Sequence, residues 1–85
     1  MKDTRNDKKR IRRSVGAAIE SRREACGIGV DALAKASKVD TSQMVKILRG
    51  RSGVSLYSLP RIAEALGCTP SELLAAAFPG AAKAA

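Results

Sequence analysis

The chain has 85 residues and a formal charge of +8, with a pI near 10.2. That length makes one small domain, whose core is marginal unless well packed or shared with a second copy. The cationic excess favours a polyanion as partner, nucleic acid before an anionic membrane. The absence of histidine and of any CxxC spacing argues against a structural zinc site, and no cofactor is expected. Cys26 and Cys68 read as reduced, partly buried thiols. The apolar runs are too short to span a bilayer, and the N-terminus lacks the apolar segment of a signal peptide, so a cytoplasmic, nucleoid-associated location is expected. Abundant Ala and Leu, with aromatics almost absent, favour helices over sheet.

In chain order, residues 1–13 carry seven Lys/Arg against Asp3 and Asp7. No apolar periodicity precedes Ile11, so residues 1–10 are expected to form a flexible basic arm. Ile11, Val15, Ala18 and Ile19 fall at i, i+4, i+7 and i+8, one stripe of a first helix over about 9–25. Gly27 suits its C-terminal left-handed position. A second helix is expected over Val30–Ser37, with Gly29 as a weak cap and a small-residue surface of Ala32, Ala34 and Ala36.

The stretch "KVDTSQMVKILRG", 38–50, turns from polar to amphipathic halfway. Asp40 with Gln43 reads as a variant capping box opening a third helix, about 41–49, closed by Gly50. "RSGVSLY", 51–57, reads as a loop, and Pro60 belongs in the first turn of a fourth helix that starts near Leu59 and ends before Gly67. In "TPSE", 69–72, Thr69 caps, Pro70 sits at N1 and Glu72 reaches back, so a fifth helix runs from there to about Ala77. Residues 79–85 are expected to be a disordered tail. The domain proper is residues 11–78, with no repeat.

At 100° per residue, Met44, Ile47 and Leu48 share one side of the third helix. Ser42, Lys46 and Arg49 share the other, flanked by Gln43 and Val45. Leu33, Ala34, Val39, Met44 and Ile47 interlock as two short helices crossing steeply require, with Ala34 small because the later helix passes over it.

The pieces "VDALAKASKVDTSQMVKILRG" and "SLPRIAEALGCTPSELL" together resemble the helix-turn-helix of the Cro/lambda-repressor family, over roughly Ile11 to Leu74. The resemblance implies an all-α, compact five-helix lambda-repressor-like domain with its helix-turn-helix at 30–49 and a basic N-terminal arm. It implies a recognition helix in the major groove of double-stranded DNA, Thr41, Ser42 and Lys46 standing at base-reading positions. Gln43, Val45, Arg49 and Arg51 match positions near phosphates or flanking them.

The sequence departs from the family pattern in three places. Val30 replaces a phosphate-clamping Gln. Lys38 replaces the turn Gly, at a left-handed cost on the order of 1 kcal/mol. Leu48 replaces the acid that usually pairs with a first-helix Arg, which leaves Arg23 free for solvent or phosphate.

Blander roles stand beside these. Lys46 and Arg49 could be a solvated face. Lys8, Lys9, Arg10 and Arg12 could form a DNA-following arm or a solvated tail. Tyr57 could donate to a phosphate or fill the core, and Leu73, Leu74 and Phe78 could be core or a dimer contact. The expectation is a transcriptional regulator, a homodimeric repressor acting by operator occupancy, with no membrane and no small-molecule ligand. The alternative is an antitoxin or adaptor that binds a protein partner through the same fold. Single-strand binding is disfavoured by the lack of stacking aromatics, and an enzyme by the lack of a nucleophile–base set.

Overall fold

The computed structural model describes residues 4–80, with side chains from Asp7 onward. Five helices follow one another: α1 (Thr4–Cys26), α2 (Val30–Ser37), α3 (Thr41–Leu48), α4 (Ser58–Ala65) and α5 (Pro70–Ala77), with no strand among the described residues. The fold is therefore all-α, in the expected order.

The largest departure is at the start. α1 begins at Thr4, not near residue 9, so residues 4–10, expected as part of a flexible arm, continue the helix. The segment holds no Gly or Pro, Lys and Arg are good helix formers, and Asp7 in the first turn suits the helix dipole. Asp7 also accepts a hydrogen bond from Arg10 at 2.9 Å, an i,i+3 pair. Lys8 to Arg13 are all exposed, so this helical extension rests on local propensity rather than burial. The rest of the arm, residues 1–3, and residues 81–85 of the expected tail lie outside the described residues, while Pro79 and Gly80 have helical backbone.

The core gathers Ile19 from α1, Leu33 and Ala34 from α2, Met44 and Ile47 from α3, Leu59, Ile62 and Ala63 from α4, Leu66 and, from α5, Leu73. Leu73 is thus spent on the chain's own core and is not available as a dimer contact. Leu74, its neighbour, stays 40% exposed, and Phe78 is half-buried.

Two close approaches fix α3. Where α1 crosses it, a Cβ on Gly16 would lie 2.3 Å from the carbonyl oxygen of Ile47, so only glycine fits there. Beyond α3, Gly50 turns back at φ +73° with its Cα against Arg13. Between α2 and α3 the reversal falls on Lys38 at φ 58°, ψ 41°, the left-handed conformation expected where the family usually has Gly. The turn closes with Val39 N–H on the Ala34 carbonyl at 2.9 Å. The Ser37 hydroxyl is fully buried beside this turn and finds no partner among the described residues.

Candidate nucleic-acid interface

α3 is held by one side and presents the other. Met44 and Ile47 are at most 2% exposed, and Leu48 packs on the core's edge. Thr41, Ser42, Lys46 and Arg49 are exposed, with Val45 and Gln43 half-buried beside them. The polar face expected from the helical wheel is therefore solvent-facing, and it carries no carboxylate; Asp40 stands at the helix cap.

The expected capping box does not form. Asp40 makes no side-chain cap bond, and Gln43 turns away from the helix end to donate from Nε2 to Ser52 Oγ at 2.7 Å. That bond ties the first turn of α3 to the loop that follows it. The same loop is anchored by Arg51 N–H on the Lys46 carbonyl at 2.8 Å. Arg51 is exposed. Tyr57 is 83% exposed and Leu56 85%, so Tyr57 does not fill the core.

Arg23 is not free. It donates from Nε to Glu20 and from a terminal nitrogen to the Ile28 carbonyl at 2.9 Å, which pins the α1–α2 turn. The hydrogen bond from Arg23, opposed by slight burial, lowers the Glu20 pKa. The acid that the family would supply from α3 is thus supplied locally from α1. Arg22 performs a similar duty at the far end of α4, its guanidinium facing the Leu66 and Gly67 carbonyls, each at 3.4 Å. Cys26 is exposed rather than partly buried, and burial raises the Cys68 thiol pKa; both are free thiols.

The basic N-terminal segment meets the same region as part of α1. Arg12 Nε lies 3.8 Å from where a Gly53 Cβ would stand, and Arg13 lies against Gly50. Lys8 and Arg12, one helical turn apart, flank a groove with Ile11, Val15, Val54, Leu56, Leu59 and Leu74. Arg10 is paired with Asp7. Sequence reasoning missed Arg13 and Ser52. Each is placed by a partner distant in sequence, Gly50 and Gln43 respectively, and no local pattern marks either.

The sequence profile of the helix-turn-helix domain matches residues 14–76, and the chain belongs to that family. The resemblance to the Cro/lambda-repressor type is in keeping with it. Among solved structures, the chain is similar to the clp gene regulator ClgR from Corynebacterium glutamicum, at 33% identity and TM-score 0.79, over 86% of this chain and 78% of that one. It is similar as well to the restriction-modification controller protein C.AhdI from Aeromonas hydrophila, at 32% identity and TM-score 0.70, over 73% of this chain and 94% of that one. The competence regulator ComR from Streptococcus vestibularis is 31% identical with TM-score 0.70, over 75% of this chain but 22% of that much longer one. The sequence has no significant match among curated proteins. The chain thus carries a helix-turn-helix domain of the kind found in DNA-binding transcription regulators.

Proposed function

We propose that this protein is a sequence-specific double-stranded DNA-binding repressor that binds as a homodimer and acts by occupying its operator. The observation that carries the reading is the division of α3, with Met44 and Ile47 locked in the core while Thr41, Ser42, Lys46 and Arg49 face outward. A short helix so held can enter a major groove with its first turn foremost. Thr41, Ser42 and Lys46 read base edges, Lys46 donating to guanine O6 or N7. Val45, Arg49, Arg51 and Tyr57 lie on the flanks, toward the backbone. Lys8, Lys9 and Arg12 follow phosphates from a helix rather than from a loose arm. Arg23 and Leu73 leave the set, being engaged within the fold.

The dimer rests on the groove beside the loop. Ile11 at 44%, Leu56 at 85% and Leu74 at 40% exposure all line it, and Tyr57 adjoins it. Exposed apolar groups gathered in one place favour a second copy, set so that two recognition helices face half-sites about 34 Å apart. No helix among the described residues is long and apolar enough to cross a membrane. The chain acts in the cytoplasm on chromosomal DNA, without enzymatic activity of its own.

Selection of bound duplexes from a random pool tests the reading directly, with Lys46→Ala beside the wild type. The variant should lose roughly 1–3 kcal/mol on the selected site and relax preference at one or two base pairs. An unchanged profile would remove Lys46 from the reading set, and a pool without enrichment would end the sequence-specific reading. Sedimentation of Leu56→Asp should show a shift from dimer to monomer; a wild-type chain that is monomeric both free and on its site would defeat the dimer.

A further inference from the structure

The two cysteines of the chain, Cys26 and Cys68, are distant in sequence and neighbours in the fold. Cys26 is the last residue of α1, and its thiol reaches across to the Leu66 carbonyl at 3.4 Å. Cys68 stands two residues beyond that carbonyl, in the turn between α4 and α5. Arg22, one helical turn before Cys26, faces the Leu66 and Gly67 carbonyls and brings the same turn against α1. Cys68 donates its own N–H to the Ala63 carbonyl at 2.9 Å and lines a groove with Arg22 and Ala25. The thiols interact electrostatically. Burial pushes the Cys68 thiol up, Arg22 draws it back, and Glu72 and then Cys26 push it up again.

Both sulfurs stand where a small reagent can reach them and where the chain can adjust. Cys26 is exposed and Cys68 half-buried. Each adjoins a left-handed glycine at the end of a helix, Gly27 at φ +69° and Gly67 at φ +71°. A Cβ on either glycine would meet nothing within 4 Å, so the surroundings are open. Among the described residues no third ligand joins the thiols to hold a metal ion. Two accessible thiols brought together from distant parts of a chain suit thiol–disulfide chemistry.

We infer that Cys26 and Cys68 are a redox-active pair, which closes into an intramolecular disulfide by exchange with a low-molecular-weight disulfide. Cys26, the more exposed, is entered first. Its thiol loses a proton to solvent, and the thiolate attacks one sulfur of the reagent. A bond forms between that sulfur and Cys26 Sγ, the S–S bond of the reagent breaks, and one thiolate leaves. Cys68, deprotonated in turn, attacks Cys26 Sγ, forms the protein disulfide and expels the second thiolate. The cysteines lose two electrons and two protons, and the reagent is reduced to two thiols. The loop so closed contains α2, α3 and α4, and the bond ties the end of α1 to the approach to α5. The inference stands apart from the DNA-binding reading and does not need it.

The test uses the full chain, reduced and then placed in a buffer of oxidised and reduced glutathione. Its mass should fall by two hydrogens, and a digest kept free of reductant should hold one peptide pair joined through Cys26 and Cys68. The thermal midpoint should rise by roughly 10 °C or more, since closing a loop of about 40 residues restricts the unfolded chain. Excess dithiothreitol should reverse both changes. Cys68→Ser should stop at a mixed disulfide with glutathione on Cys26, and Cys26→Ser should be modified more slowly. In urea the wild type should close at least about ten-fold more slowly, relative to a free cysteine peptide in the same solution, because the fold holds the second thiol near the first.

A wild-type chain that stays unmodified, or carries glutathione and never closes, would overturn the pair. So would a disulfide between two copies in place of the internal one, or equal closure rates with and without urea. An oxidised chain that melts below the reduced one would show that the bond does not fit the fold, and would overturn the pair as well.

Discussion

Two helices open on the same local grammar and come out differently. At α5, Thr69 Oγ1 accepts from Glu72 N–H at 3.1 Å, and the Glu72 carboxylate accepts from Thr69 N–H at 2.9 Å, a complete capping box. At α3, Asp40 and Gln43 stand at the matching positions and neither bond forms. For the side chain three residues after the cap, the difference is one of competition. Glu72 has no other side-chain partner among the described residues, so the local bond wins. Gln43 has Ser52 at 2.7 Å across the loop and is drawn there instead. α3 is consequently fixed by packing and by its following loop, and the N–H groups of its first turn keep no side-chain partner. α5, which buries only Leu73 among its residues, depends more on its cap. A cap motif therefore states what a helix start can do locally, and a tertiary partner decides whether it does.

The largest effect is expected where α1 supports the last turn of α3. Gly16→Ala places a Cβ 2.3 Å from the Ile47 carbonyl, and backbone on both sides leaves little room to give. We expect a loss of about 3 kcal/mol or more, at the upper end of overpacking effects, read as a lowered midpoint in urea unfolding. In an ordinary helix interior the same change would be stabilising by up to about 1 kcal/mol. A variant as stable as the wild type would show that α1 does not hold α3 in this way.

The two starts themselves give a smaller, paired effect. Thr69→Ala should cost about 1 kcal/mol, the usual value of a satisfied N-cap. Asp40→Ala should cost no more than a few tenths of that figure, because no cap bond is there to lose. Thermal melts of both variants under one condition decide the matter. Equal losses would mean that Asp40 caps α3 in solution and that the contrast between the helices is false.

The sequence was most informative where a local rule had no rival. Gly27 and Gly50 sit at φ +69° and +73°, as C-terminal glycines should, and Lys38 takes the left-handed turn that its position demanded. The apolar stripe of α3 and the small Ala34 follow from periodicity, and so does the outward face of Thr41, Ser42 and Lys46. What periodicity could not reach was the cationic start of α1. A stripe-based reading sees no helix where no face is buried, although propensity and the Asp7–Arg10 pair are enough to extend one. The fates of Arg23, Gln43 and Ser52 were illegible for a different reason. Gln43 and Ser52 are decided by each other across the loop, and Arg23 by the Ile28 carbonyl beyond the turn together with Glu20 three residues before it.

The smallest effect separates the two starts by their response to acid. The Glu72 pKa is lowered, first by the hydrogen bond from the Thr69 backbone N–H and then by the one from the Thr69 hydroxyl. A carboxyl depressed in the folded state contributes stability that is present above its unfolded pKa and is lost as the pH falls through its folded value. The α5 cap should therefore weaken as the solution is taken from about pH 5 toward pH 3. Glu20, depressed by its bond from Arg23, acts in the same direction and must be followed separately. Glu72→Gln keeps an oxygen for the Thr69 N–H but has no proton to gain, which makes α5 resemble the Gln-bearing start of α3. The variant should lose part of the acid-dependent fall in melting temperature, and Glu20→Gln a further part. The group is exposed, so the change should be small and best seen as a difference between melting curves run in parallel across that range. Identical pH dependence in the wild type and Glu72→Gln would show that the carboxylate end of the box adds nothing in solution, and that the two helix starts differ only in their threonine and aspartate caps.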